Sequence, residues 1–249
     1  MYKNRLFVLL LTVILFAACK KQTEEYVTAS ISDYMPLVKG KYITYQLDSF
    51  RYVPQTLRPL VITYQVKFEV DDLITDNLGR PAYRIYRYIR NTSNDPWVTD
   101  DTYMAVNTGN SLELIENNLR YIKLKEPIAQ DYTWKGNAFI NTTSSSSDFN
   151  LQYLDSWDYT YDSLNAPLNL NGINVDSTIK VAQRDEIIGN PSDINSYSEI
   201  NLGVEYYAKG LGMVYRRFLH SEYQPPTGGH DGYYSDATKG ATFTMIDHN

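Results

Sequence analysis

The chain has 249 residues, 23 Lys and Arg against 29 Asp and Glu, and a formal net charge of −6. An acidic balance without a basic run excludes a nucleic-acid binder, because phosphate contacts need clustered Lys and Arg. A single cysteine excludes an internal disulfide framework and a thiolate zinc site.

The first segment is an address. Lys3 and Arg5 form a short basic head, residues 6–16 an apolar run, and Ala17 and Ala18 a small pair just before Cys19. A membrane-spanning helix needs ~20 apolar residues, more than this run offers before Lys20 and Lys21. The layout resembles the lipobox of bacterial lipoproteins, with Phe16 standing where Leu is usual. That resemblance implies that residues 1–18 are a removed signal peptide and that Cys19 is acylated, with palmitate among its lipids, as the first mature residue. The mature chain then carries 21 basic and 29 acidic residues, a net charge of −8. Its one thiol is spent on the anchor.

Residues 19–33 read as the lipidated Cys and a polar tether. Glu24 and Glu25 resemble the surface-export signals of Bacteroidota lipoproteins, although Lys20 and Lys21 precede them, so the periplasmic and surface faces both stay open. A single domain is expected over residues 34–249.

Within it, Ile43, Tyr45 and Leu47 alternate after the Pro36 and Gly40 punctuation, which predicts a first strand. Ile62, Tyr64, Val66, Phe68 and Val70 alternate with polar residues over ten positions. Asn77 and Gly79 then supply a turn before residues 82–90, so residues 61–89 read as a hairpin. Further strands are predicted at 102–106, 112–115 and 119–124, the last two joined by Asn117 and Asn118, which tolerate left-handed backbone. Residues 142–148 (TTSSSSD) read as an exposed loop. Residues 149–172 are ambiguous between a strand and a wrapped aromatic loop. Residues 177–186 alternate again, residues 193–202 form the one short helical candidate, and Gly210 and Gly212 break a strand pair across 205–222. The last strand falls at 242–246.

No long helix and no fixed repeat is present, so the expected fold is all-β, an antiparallel meander forming a sandwich or a strongly curved, barrel-like sheet. The opening at residues 36–42 (PLVKGKY), the segment at 210–215 (GLGMVY) and the ending at 245–249 (MIDHN) resemble uncharacterised Bacteroidota envelope lipoproteins. The resemblance implies an outer-membrane, lipid-anchored protein and brings no catalytic residue.

Few residues announce chemistry. His220, His230 and His248 lack ligand spacing; His230 and Asp231 in a glycine loop, with Asp247 and His248, form the one metal arrangement to consider, and no metal or cofactor is expected. The adjacent acids Asp71 and Asp72, Asp100 and Asp101, and Asp185 and Glu186 point to opposite strand faces, which disfavours a two-carboxylate glycosidase. No nucleophile elbow, Walker loop or Rossmann fingerprint occurs. The aromatic content, 23 Tyr and 3 Trp, favours a non-catalytic binding module for a glycan or other small ligand, with Trp97, Trp134 and Trp157 as the candidate ligand faces. The alternative is an accessory subunit that meets an envelope protein.

Overall fold

The computed structural model describes residues 29–52, 59–143 and 151–249. The expected signal peptide, Cys19, the tether through residue 28 and residues 144–150 of the serine-rich region lie outside the described residues. Packing begins earlier than Tyr34. Ser30 caps a one-turn helix, α1 (Ile31–Tyr34), through a capping box with Asp33. Ile31 and Tyr34 are both buried at 1% exposure, so the expected tether ends inside the fold.

Thirteen strands follow among the described residues: β1 (Tyr42–Tyr52), β2 (Pro59–Thr75), β3 (Pro81–Arg90), β4 (Val98–Asn107), β5 (Ser111–Glu116), β6 (Leu119–Lys125), β7 (Thr133–Lys135), β8 (Asp158–Leu170), β9 (Ile173–Gly189), β10 (Ser198–Ala208), β11 (Gly212–Gln224), β12 (Tyr233–Tyr234) and β13 (Lys239–His248). Period-two alternation accounts for most of them. Ile43, Tyr45 and Leu47 of β1 and Val66 and Val70 of β2 all turn to the interior. Asn117 and Asn118 adopt φ of 51° and 62°, the left-handed pair a two-residue hairpin requires. One expectation is corrected and one open reading is resolved. Residues 193–202 form no helix: residues 190–197 are a loop and Ser198 opens β10, since Leu202, Val204 and Tyr206 alternate with buried Asn201, Gly203 and Glu205. Gln152–Leu154 is a short 3₁₀ turn, and the strand in that region starts only at Asp158.

The antiparallel sheet runs in the order β6-β5-β4-β3-β2-β1-β13-β11-β10-β9-β8-β7, with β12 beside β11. The meander leaves β1 in one direction and returns to it through β13, so twelve strands form a ring open only between β6 and β7. That seam is stitched without a ladder. Ile122 N–H donates to Gly136 O at 2.8 Å, the Trp134 indole donates to Ile122 O at 2.8 Å, and the Tyr161 hydroxyl serves both backbone groups of Lys125.

The ring is flattened. The Glu116–Arg216 ion pair joins β5 to β11, strands six places apart in twelve, so opposite walls touch as they would in a sandwich. Tyr34, Tyr45, Trp157, Tyr159 and Tyr161 fill the interior. The described chain thus reconciles the two expected shapes: a nearly closed barrel, pressed until its walls meet.

Candidate functional site

The interior of the barrel is nearly full. One cavity of about 60 Å³ lies among Ile43, Phe68, Ile85, Leu112, Met213 and their neighbours, beneath Met35 and Pro36 at the end of α1. It has room for a few waters and falls far below the ~300 Å³ at which ligand pockets begin. Its floor is charged. Arg216 donates two hydrogen bonds to Glu116, both 2.8 Å, Lys123 donates to Glu205 at 2.8 Å, and the Tyr207 hydroxyl donates to Glu205 at 2.7 Å.

Burial alone would raise the Glu116 pKa, but Arg216 and Lys123 outweigh it and hold the carboxyl at about 2. Glu205 is likewise kept low against its burial by Lys123 and Arg216. A general acid needs the opposite shift. The four groups therefore act as fixed charges that clamp the two walls together.

Two of the three candidate tryptophans are committed to this packing. Trp134 is 4% exposed and lies against Tyr161 at 4.7 Å between ring centres. Trp157 is 2% exposed, donates its indole N–H to Tyr153 O at 2.6 Å and packs on Phe218. Neither presents a face to a surface ligand. Trp97 is half-buried on the outside, with the Arg90 guanidinium 4.2 Å from its ring centre and the Lys67 ammonium 5.9 Å away. Its neighbours already use part of the ring.

The other candidates separate as well. His230 lies in the loop between β11 and β12, whereas Asp247 and His248 end β13 at the opposite end of the ring. Among the described residues no three His, Cys, Asp or Glu gather around a metal position. His220 is buried against Tyr153, rings 4.0 Å apart, with Nδ1 2.8 Å from Asn201 Oδ1; burial lowers its pKa. The adjacent acids diverge: Asp71 pairs with Arg84 and Asp72 with Lys39.

A larger concavity lies outside the barrel. Because Glu205 and Tyr207 of β10 point inward, Leu202, Val204 and Tyr206 point outward, and so do Tyr215 and Arg217 of β11, which pair with Tyr206 and Val204. Lys180 and Ala182 extend this face onto β9 through pairing with Tyr206 and Val204. The tip of the β8–β9 hairpin bends over it. The register slips at three places between Tyr161 and Leu168, and Asn165 and Ser177, one on each strand, both take φ of 54°. Such irregularities bend a hairpin. The bent tip reaches β13 and buries Leu170 and Val175, each 5% exposed, in a cluster with Ala208 and Val214.

Between tip and wall runs an open groove of about 430 Å³. Its apolar floor is Leu202, Val204, Ala182 and the half-buried rings of Tyr206 and Tyr215, which meet edge to face at 5.8 Å. Asn169, Lys180, Asp185 and Arg217 supply donors and acceptors at its border. Sequence reasoning missed these residues. The available signal was that β10 carries its two acids, Glu199 and Glu205, on the face opposite Ile200, Leu202 and Val204, and without the fold that pattern assigns Leu202 and Val204 to the core.

No family model and no curated protein matches the chain. A search of solved structures returns the crystal structure of a candidate lipoprotein from Parabacteroides distasonis, with 10% sequence identity, a TM-score of 0.38, and coverage of 87% of this chain and 98% of that one. At that identity the neighbour lends this chain no residue role and no ligand.

Proposed function

We propose that the protein is a non-catalytic, envelope-anchored module that binds a glycan chain in the groove on the outer face of β9, β10 and β11, with Cys19 as its lipid-bearing residue. The groove itself carries the reading. It has the volume of a ligand site, a largely apolar floor and a few polar groups at the border, whereas the interior cavity of about 60 Å³ is too small for one. Sugars present flat C–H faces beside hydroxyls. Tyr206 and Tyr215 offer ring surface for the first, and Asn169, Asp185 and Arg217 offer hydrogen-bond partners for the second. Because the groove is open rather than closed over, a segment within a chain suits it better than a small enclosed ligand.

The test is binding of the soluble chain from Lys20 onward to a broad glycan array, followed by calorimetry on each hit. Tyr206→Ala is expected to weaken binding at least tenfold, and Trp97→Ala to leave it within twofold. An array without signal, or a hit that depends on Trp97 and ignores Tyr206, would overturn the assignment.

A further inference from the structure

We propose that the ligand of this groove is a carboxylate-bearing glycan, a chain containing uronic acid, and that Arg217 is the residue that reads the carboxylate. The inference rests on the groove being a glycan seat and adds the chemical class.

Its basis is the state of the charges around the groove. Lys180 is bonded to Asp162, and Arg184 donates from two nitrogens to Glu186. Both cations are thus already answered by carboxylates of the chain. Arg217 differs. Among the described residues it has no ion pair and no side-chain hydrogen bond, and it is exposed on the outer face of β11. Its cross-strand neighbours are Val204 on one side and Thr242 on the other, so no acid faces it across either ladder. A guanidinium presents five donors in a planar fork that matches a carboxylate in two-point contact.

Placement supplies the second part. Residues 215 and 217 share one face of β11, roughly 7 Å apart along the strand at about 3.3 Å per residue. A sugar ring laid on the Tyr215 and Tyr206 surface therefore brings the carboxylate on its own ring carbon toward the Arg217 fork. The opposing charge is Asp185, on β9 beyond Leu202 of β10. It lies two strands away from β11 and is suited to accept hydroxyl protons from a neighbouring unit of the chain. With Lys180 and Arg184 answered by Asp162 and Glu186, the unpaired charges at the groove border among the described residues are Arg217 on β11 and Asp185 on β9, and the tyrosine surface lies on the Arg217 side. An unanswered guanidinium next to the ring surface favours an anionic group on the sugar seated there over a neutral one.

The experiment compares oligomers of galacturonate, glucuronate and mannuronate with the same oligomers after carboxyl reduction, by calorimetry at low and high salt, on the soluble wild-type chain and on Arg217→Ala and Arg217→Lys. At least one uronate oligomer is expected to bind the wild type tenfold or more tightly than its reduced form, with the difference shrinking as salt rises. Arg217→Ala should cut that discrimination to below threefold, and Arg217→Lys should restore part of it. Equal affinity for acidic and reduced oligomers would overturn the carboxylate assignment and leave the glycan seat standing. Binding of palmitate, or of an acidic peptide, in place of every oligomer would overturn both. Circular dichroism melts of the two variants, expected within 2 °C of wild type because Arg217 is exposed and unpaired, separate lost recognition from lost folding.

Discussion

Glu116, Lys123, Glu205 and Arg216 sit where a barrel of this sequence composition would be expected to hold only apolar side chains. Each is matched: Glu116 by Arg216 and Lys123, Glu205 by Lys123 and Tyr207. Removing one partner of a buried pair leaves an uncompensated charge, at a cost of about 3–5 kcal/mol. The pH dependence follows from the sign of the shift. The folded-state pKa of Glu116, about 2, lies below its ordinary value of 4.5. Its contribution to stability is therefore complete above pH 4.5 and is lost as pH falls from there through 2. Urea titrations should show stability dropping across that window in the wild type. Glu116→Gln should be several kcal/mol less stable at pH 7 and should lose less on acidification; an unchanged acid slope would mean that other carboxyls set it.

At the scale of elements, the decisive place is the seam between β6 and β7. Everywhere else in the ring, neighbouring strands share a ladder. Here a few individual bonds hold the edges, and the Tyr161 hydroxyl carries two of them: it accepts from Lys125 N–H at 3.0 Å and donates to Lys125 O at 2.8 Å. Tyr161→Phe keeps the buried ring and removes only these bonds, which should cost about 1–3 kcal/mol because buried backbone groups lose their partner. Amide exchange should accelerate at Lys125 and Ile122 and stay unchanged in β1 and β13. Uniform acceleration across the ring would show that the seam opens only with the whole fold. The hairpins themselves were legible beforehand, since Asn117, Asn118 and the Asn77 to Gly79 turn are local chemistry. The seam was not, because it depends on a side chain 36 residues away in sequence from the strand it closes.

For the molecule as a whole, α1 closes one end of the barrel and is the point at which the described chain begins. The end of β9 with exposed Ile187 and Ile188, and the following loop with exposed Ile194, lie at the other end. A lipid on Cys19 would therefore hold the α1 end toward the membrane. Metabolic labelling with an alkyne fatty acid should mark the wild-type chain and leave Cys19→Ala unlabelled and in the soluble fraction, with the folded domain melting at the same temperature in both. Labelling that survives the substitution would remove the anchor assignment.

Residues near one another in sequence decided much of this protein. Period-two alternation marked the strands, Asn and Gly pairs marked the turns, the missing long apolar periodicity of a helix made the fold all-β, and the run ending at Cys19 supplied the expected address. These signals are local, so a linear reading recovers them. Which face of each strand is inside was a different matter. β10 buries Glu205 and turns half-buried Val204 to the outer face because Lys123 and Arg216 approach from other strands, and no neighbour in sequence reports that. The same inversion places Tyr206, Tyr215 and Arg217 together on the outer wall, and the bent β8–β9 tip turns that wall into a groove. Trp134 and Trp157, the more conspicuous aromatic residues, go to the core because large rings are needed to fill a twelve-stranded ring. Only tertiary structure could decide which aromatic residues fill space and which are left facing it.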